Sequence, residues 1–432
     1  MARVPSERQG PAQPDADVAA RERGRGRRPD GDPPNPLARW SRRLSVLDWI
    51  AIALFILGWI CVATGLLPAG QADATIRRIL PLLLFLATIL VLAELTATAG
   101  VFDVLAARVA IIGRGNYFVL FVLCVAFAAM TTICLNLDTT AVLLTPVMLA
   151  LARSLRVPPL PFAMCTVWLA NTGSLLLPVS NLTNLLAANR VALAPLAFAG
   201  RMAAPQLTAI AATMVFLWVF YWRRPERGAR SYEPPRPFEP ADRVLFRVAA
   251  IGCLFFVAAI LGGVELGVAS AIAAGLVVAA FAARRRSDLR LSLIPWRLPV
   301  FVTGLFLVVQ TISVHLLSGL TRTLVSTNGD ALGVFRAAAT GAGLANVVNN
   351  LPAYVAGEAV VPVANHLQLL GLLVGVNVGP VIAPWASLAT LLWYERCRSQ
   401  DVRIPGWKFS LTGAGLAVVA LAASVGALVA AG

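Results

Sequence analysis

A chain of 432 residues in which 58% are hydrophobic and only 13% are charged, with a mean hydropathy of +0.77, is too apolar for a soluble enzyme and reads as an integral membrane protein. The formal net charge of +15 would suit a nucleic-acid binder, but the Arg residues sit in an N-terminal arm and in short loops between apolar segments, a distribution that sets membrane orientation, so no nucleic-acid partner is expected. Six separated cysteines (Cys61, Cys124, Cys134, Cys165, Cys253, Cys397) make no CxxC pair and no disulfide framework, and read as reduced thiols packed in apolar runs.

Residues 1–43 are rich in Pro, Gly, Arg and Asp, with Arg21, Arg23, Arg25, Arg27 and Arg28 in one run. Such a segment is expected to be a disordered basic arm that stays cytoplasmic, fixes topology and touches anionic lipid. A full-length span follows it, unlike the short apolar core of a signal peptide. Judged against roughly 20 apolar residues for a helical span, the first half gives Leu47 to Leu67, Ile79 to Thr98, a long broken segment from Phe162 to Asn189, and Gln206 to Trp222. Between the second and third lies Tyr117 to Ala152, apolar at both ends and polar in the middle, which reads either as one overlong span or as a re-entrant hairpin. The Pro- and Arg-rich loop from Arg223 to Arg243 divides the chain. Spans at Val244 to Leu261, Leu266 to Ala283 and Val300 to Leu317 follow, then a second hairpin candidate from Leu332 to Val361, a broken helix from Leu369 to Trp393 and a last span from Leu411 to Ala430.

Loop charge decides the hairpin question. With the arm inside and both candidates re-entrant, Arg108, Arg114, Arg153, Arg156, the central loop, Arg284 to Arg286 and Arg396 to Lys408 all fall on the cytoplasmic side, leaving only Arg77, Arg78, Arg190, Arg201, Arg322 and Arg336 outside. The expected fold is therefore an all-α polytopic membrane protein of about nine full spans plus two hairpins, built as two inverted repeats. Residues 44–222 form the first repeat, 223–243 a cytoplasmic linker and 244–432 the second repeat.

The repeat is visible in the broken segments themselves. LANTGSLLLPVSNLTNLL at Leu169 to Leu186 aligns without a gap on GVNVGPVIAPWASLATLL at Gly375 to Leu392, so that Asn171 falls on Asn377, Gly173 on Gly379 and Pro178 on Pro384. Gly and Pro in the middle of a membrane-length helix free backbone amides and carbonyls, and secondary transporters build substrate sites from such pairs. Neutral groups dominate here: Asn171, Ser180 and Asn181 in one copy, Asn377, Ser387 and Thr390 in the other, with Asn346, Asn349 and Asn350 in the second hairpin. They suit a small uncharged hydrogen-bonding solute or a partly dehydrated cation, and they include no Arg fork for a carboxylate. Interhelical hydrogen bonding is the plainer reading of the same residues.

Asp138 is the costliest residue in the apolar core, because a carboxylate at membrane depth must be paired, hydrated or protonated. Proton or cation coupling is the functional reading, with Asn136, Thr139 and Thr140 as neighbours that tune it; capping of the second hairpin arm is the structural one. Glu94 and His315 occupy equivalent places in the halves, and each reads equally as a proton relay or as a satisfied interior group. No cofactor and no resident metal are expected, and no nucleophile, base and orienter appear together, so the chain does not read as an enzyme.

The runs DTTAVLLTPVMLAL, LLLPVSNLTNLL, NNLPAYVAGEAV and NVGPVIAPWASLATLLW, in that order, resemble the hairpin tips and broken helices of the arsenite efflux permeases (arsenical pump membrane proteins) of the ion transporter superfamily. The resemblance implies a transport body that moves against a fixed scaffold. It also implies roles for Asp138, for Asn349 and Asn350 at the second tip, and for Asn181 and Ser387 in the broken helices. By the same resemblance the substrate is arsenite or antimonite, expelled across the cytoplasmic membrane in exchange for protons, with a soluble ATPase subunit as an optional partner. A sodium-coupled anion carrier or a sodium/proton antiporter fits the same fold, and a homo-oligomer is left open.

Overall fold

The computed structural model describes residues 46–223, 231–290, 293, 296–312 and 329–431; the arm over 1–43 and His315 lie outside the described residues. Apart from one isolated bridge between Asn116 and Ser231, the regular structure described is helical, as lipid demands of backbone that has no water to bond. The first half runs through α1 (Val46–Ala63), α2 (Ala69–Thr98), α3 (Val101–Ile112), α4 (Tyr117–Cys134), α5 (Leu137–Ser154, π-helical over Thr140–Leu144), α6 (Leu160–Thr172), α7 (Leu182–Arg190) and α8 (Pro195–Trp222). The second runs through α9 (Arg243–Leu261), α10 (Leu266–Arg284), α11 (Arg297–Ile312), α12 (Ala331–Val348), α13 (Asn350–Glu358), α14 (His366–Val378), α15 (Leu388–Ser399) and α16 (Gly406–Ala430). Among the described residues, eight helices are long and apolar enough to cross a membrane.

Hydropathy finds spans rather than helix ends, so α2, α8 and α16 begin before the apolar runs they carry, at Ala69, Pro195 and Gly406. In α2 that run opens at Ile79, and an exposed i,i+4 pair between Arg77 and Asp73 at 2.8 Å lies on the polar first turns. α3 is too short to register as a span; it follows Gly100, which takes a left-handed φ of 79° to turn the chain out of α2.

The first polar segment is a re-entrant hairpin. The Thr132 hydroxyl donates to Thr140 Oγ1 at 2.9 Å, whereas eight residues of continuous helix would separate them by about 12 Å. The indole of Trp222 at the end of α8 packs on Tyr117 at the start of α4, with centroids 5.3 Å apart, and on Phe162, just beyond the end of α5, at 4.8 Å. The hairpin thus enters and leaves on the Trp222 side. The second hairpin, α12 and α13, does so at the other end of α8: Gly329 before it and Asn365 after it face each other and line one cavity with Leu193 and Arg201. The hairpins open to opposite faces.

Matching elements also meet one another. α2 packs on α11 and α8 on α16, while α6 meets α15 and α7 meets α14. Counterparts that meet directly, α2 with α11 and α8 with α16, and broken-helix halves that meet reciprocally, α6 with α15 and α7 with α14, are both what a twofold relation produces, and with the hairpins opening oppositely the two repeats are inverted. α12 packs on α14 at Gly375, where any Cβ would run into the carbonyl of Ala338.

Candidate functional site

Each broken helix leaves a stretch of backbone outside α-helix, residues 173–181 in the first copy and 379–387 in the second, and in each an amide side chain from a neighbouring helix bonds both backbone amides and carbonyls. In the first copy Gln206 of α8 accepts from the amides of Leu175 and Leu176 (2.7 and 3.1 Å) and donates to the Thr172 carbonyl at 2.9 Å. In the second copy Asn346 of α12 accepts from the Ala383 amide at 3.0 Å and donates to the Gly379 carbonyl at 2.9 Å. The same task falls to different elements in the two halves.

The hairpin tips dock on these stretches. Ser180 donates to the Ile133 carbonyl at the first tip, at 2.9 Å. At the second tip the Asn349 side chain donates to the Trp385 carbonyl at 3.0 Å, and the Asn350 amide donates to the Ala386 carbonyl at 2.9 Å. Both tips turn on an Asn with positive φ: Asn136 at φ 147°, ψ 174° and Asn349 at φ 95°, ψ 152°. That backbone region belongs almost entirely to Gly. Each Asn also caps the arm it starts, Asn136 Oδ1 accepting from the Thr139 amide at 2.7 Å and Asn349 Oδ1 from the Leu351 amide at 3.4 Å. The Thr140 hydroxyl donates to the Asn136 carbonyl at 3.0 Å and locks the first turn.

Across the molecule the broken helices bond crosswise. Asn377 Nδ2 donates to Asn184 Oδ1 at 2.6 Å, and Asn171 Nδ2 donates to Thr390 Oγ1 at 3.3 Å, Asn184 and Thr390 being aligned positions. Asn377 Oδ1 in turn accepts from Asn181 Nδ2 at 3.0 Å and Thr183 Oγ1 at 2.6 Å. Asn171 Oδ1 has no such donors, because Ser387 and Ala389 stand where the first copy has Asn181 and Thr183. Buried and without a hydrogen-bond partner are Asn171 Oδ1, Ser387 Oγ and Thr139 Oγ1.

A cavity of about 30 Å³ lies where these parts meet, lined by Asp138, Asn181, Asn349, Asn350, Ser387 and, from α11, by Phe301 and Val302. Its polar lining comes from the starts of α5, α7, α13 and α15, so four helix N-termini converge on one point. Each brings the partial positive charge of a helix start. Asp138 stands among them, 5% exposed, on the first turn of α5.

Of the residues the sequence singled out, Asp138, Asn181, Asn349, Asn350 and Ser387 line the cavity. Asn136, Thr139, Thr140, Asn171, Ser180, Asn346, Asn377 and Thr390 stand around it and brace its walls. Glu94 does not join them: it is exposed on α2. Sequence reasoning missed three contributors. In the sequence Gln206 marks only a span boundary, although a lone amide in an apolar run is a signal of interior bonding; Phe301 and Val302 carry no polar signal at all. Cys134 and Cys165 do not line the cavity, and no group of three or more His, Cys, Asp or Glu side chains that could hold a metal occurs among the described residues.

A model of the citrate transporter family matches residues 40–390. The chain belongs to the citrate transporter family. Within it, the chain is similar to the arsenical pump membrane protein of Yersinia enterocolitica, 26% identical over 403 residues that cover 87% of this chain and 92% of that one. It is also similar to that of Escherichia coli, 27% identical over 364 residues, covering 79% and 84%. A 46 kDa membrane protein of Mycobacterium leprae is 24% identical over 364 residues, covering 78% and 83%. In fold the chain is similar to the Alcanivorax borkumensis YdaH transporter, which has an unusual topology: TM-score 0.54, 12% identity, covering 89% of this chain and 97% of that one. The chain is thus a multi-pass membrane transporter of this family, and the resemblance its motifs carry is borne out.

Proposed function

We propose that this transporter exports arsenite or antimonite across the cytoplasmic membrane in exchange for protons, with the basic arm and loops facing the cytoplasm. The observation that carries the reading is the convergence of four helix N-termini and one carboxylate, Asp138, on a single small cavity. Arsenite near neutral pH is a trihydroxide, with oxygens that accept from helix-start amides and hydroxyl hydrogens that a carboxylate or the Ser387 hydroxyl can take. A proton on Asp138 removes its charge and turns one of its oxygens from acceptor to donor, so proton and solute compete for one group, which is the requirement of exchange. Names of relatives point the same way, and a space of about 30 Å³ suits a small inorganic solute better than a tricarboxylate.

A second reading has its own support. Four N-terminal dipoles favour an anion even without an Arg fork, and the family description is that of a citrate carrier. Arsenite accumulation in cells lacking their own efflux system separates the two. Cells making the wild-type protein should hold less arsenite than empty-vector cells, and Asp138→Asn should return accumulation to the empty-vector level. Unchanged accumulation with the wild type removes the metalloid reading, and sodium-dependent citrate uptake in the same cells would install the alternative. If Asp138→Asn exports normally, Asp138 serves only the hairpin.

A further inference from the structure

A second cavity shares no lining residue with the first and lies where α2 has ended and α9, a helix long and apolar enough to span, begins. It measures about 340 Å³ and is lined by Val104, Ala107 and Arg108 of α3, by Pro237, Phe238 and Pro240 of the linker, and by Arg243, Phe246 and Arg247 of α9. Three guanidinium groups face it and no carboxylate lines it. Arg243 is partly matched by Glu239 at 3.7 Å, an exposed pair worth little; Arg108 and Arg247 have no ion pair among the described residues. The nearest acids are engaged or turned elsewhere. Asp242 caps α9 and accepts from Arg284 at 2.8 Å, and Asp103, one residue before the lining Val104, is not part of the wall.

The walls are built rather than incidental. The linker is strapped to α3: the Tyr232 hydroxyl donates to the Ala110 carbonyl at 2.7 Å, its amide donates to the Gly115 carbonyl at 3.1 Å, and Phe238 packs against Gly100. Phe238 and Phe246 supply apolar wall between the charges. Outside the cleft, Leu105 and Val244 are exposed at 45% and 43%, beside the first turn of a helix long and apolar enough to span. Cationic heads, aromatic walls and an apolar rim at the membrane boundary match a phospholipid, its phosphate on the arginines and its glycerol and first methylenes on the rings.

We infer that the cleft between α3, the linker and α9 binds the headgroup of an anionic phospholipid through Arg108 and Arg247, pinning the linker to the bilayer. A free inorganic phosphate shares the head chemistry but leaves the aromatic walls and apolar rim unused.

The full-length protein, purified into detergent containing equal phosphatidylglycerol and phosphatidylcholine and then stripped stepwise, can be weighed by native mass spectrometry. Wild-type protein should keep one phosphatidylglycerol in preference to phosphatidylcholine. The double variant Arg108→Ala with Arg247→Ala should weaken that preference about thirtyfold, roughly fivefold for each guanidinium, while Arg396→Ala, an exposed arginine at the end of α15, should leave it intact. Absence of preference in the wild type overturns the inference whatever the variants do. So does an equal loss in Arg396→Ala, which would mark general basicity. Displacement of the lipid by a few millimolar inorganic phosphate, on the order of cellular levels of a weak anion ligand, would assign the arginines to a free anion instead.

Discussion

At the scale of single residues, the two tip asparagines show how this site is held open. Asn136 and Asn349 occupy backbone that costs a non-Gly residue about 1–3 kcal/mol, and each recovers part of that through the cap it makes. Replacement separates the two contributions. Asn136→Ala loses the cap and keeps the strain, whereas Asn136→Gly loses the cap and relieves the strain. The glycine variant should therefore be the more stable in thermal unfolding, by about 1–3 kcal/mol; equal stability would mean that the backbone relaxes on substitution. Asn377 offers a different contrast. Asn377→Ala strands three buried partners at Asn181, Thr183 and Asn184, while Thr390→Ala removes one bond of 3.3 Å. At about 0.6 kcal/mol for an average interhelical bond in a membrane, and more for a stranded group, the first should cost about 2–4 kcal/mol and the second under about 1 kcal/mol. Melting temperatures of the two variants in one detergent check the order.

At the scale of elements, the staples that hold the broken segments are the test of how the two copies diverged. Gln206→Leu leaves two amides and one carbonyl without partners, whereas Asn346→Leu leaves one amide, since the Gly379 carbonyl still accepts from the Val381 amide. Both should impair transport, the first more severely, even though neither side chain lines the cavity. Equal impairment would show that the backbone finds other partners. Near the linker, Asp242 carries a carboxyl lowered below its usual range, chiefly by the hydrogen bond from Arg284 and also by the amide of Leu245. Because the folded value is depressed, this contribution is present above about pH 4 and is lost as pH falls through the lower folded value. Asp242→Asn keeps an acceptor for the cap but no charge. Its melting temperature should therefore fall less steeply than that of the wild type as pH drops from about 6 to about 3.

The same elements explain what could be read in advance. Broken helices were legible because Gly, Pro and Asn inside apolar runs violate the pattern of an uninterrupted span. The inverted order was legible because arginines between spans record which side each loop lies on. Gln206 escaped because one polar residue among apolar ones carries no periodicity, and its partners are backbone groups that no sequence names. α3 escaped because its twelve residues are helical without being a span. Glu94 looked equivalent to an interior site because alignment gives position along a helix and not which face turns outward.

At the scale of the whole molecule, the contacts divide into two helix groups. α2, α9, α10 and α11 pack on one another, and the hairpins, broken helices, α8 and α16 pack on one another. The cavity lies between them, since Phe301 and Val302 come from α11 and the polar lining from the other group. Crosswise bonds tie both broken helices and both tips into one assembly, so that opening the cavity to either side by moving a single hairpin would break several buried hydrogen bonds at once. Displacing the second group as a body against the first breaks none of them, and apolar contacts across Phe301 and Val302 can slide at small cost. Cross-links distinguish these motions. Thr208 and Ser424 lie within the second group, with hydroxyls 3.4 Å apart, and Thr88 and Ser270 within the first, at 2.6 Å. Cysteine pairs at those positions should form disulfides and leave transport unchanged. A pair at Val302 and Leu351, which line the cavity from α11 and α13, should abolish transport when bridged and restore it on reduction. If the bridge across the cavity is tolerated while either internal bridge is inhibitory, the moving unit is a single hairpin and the two-body account is wrong.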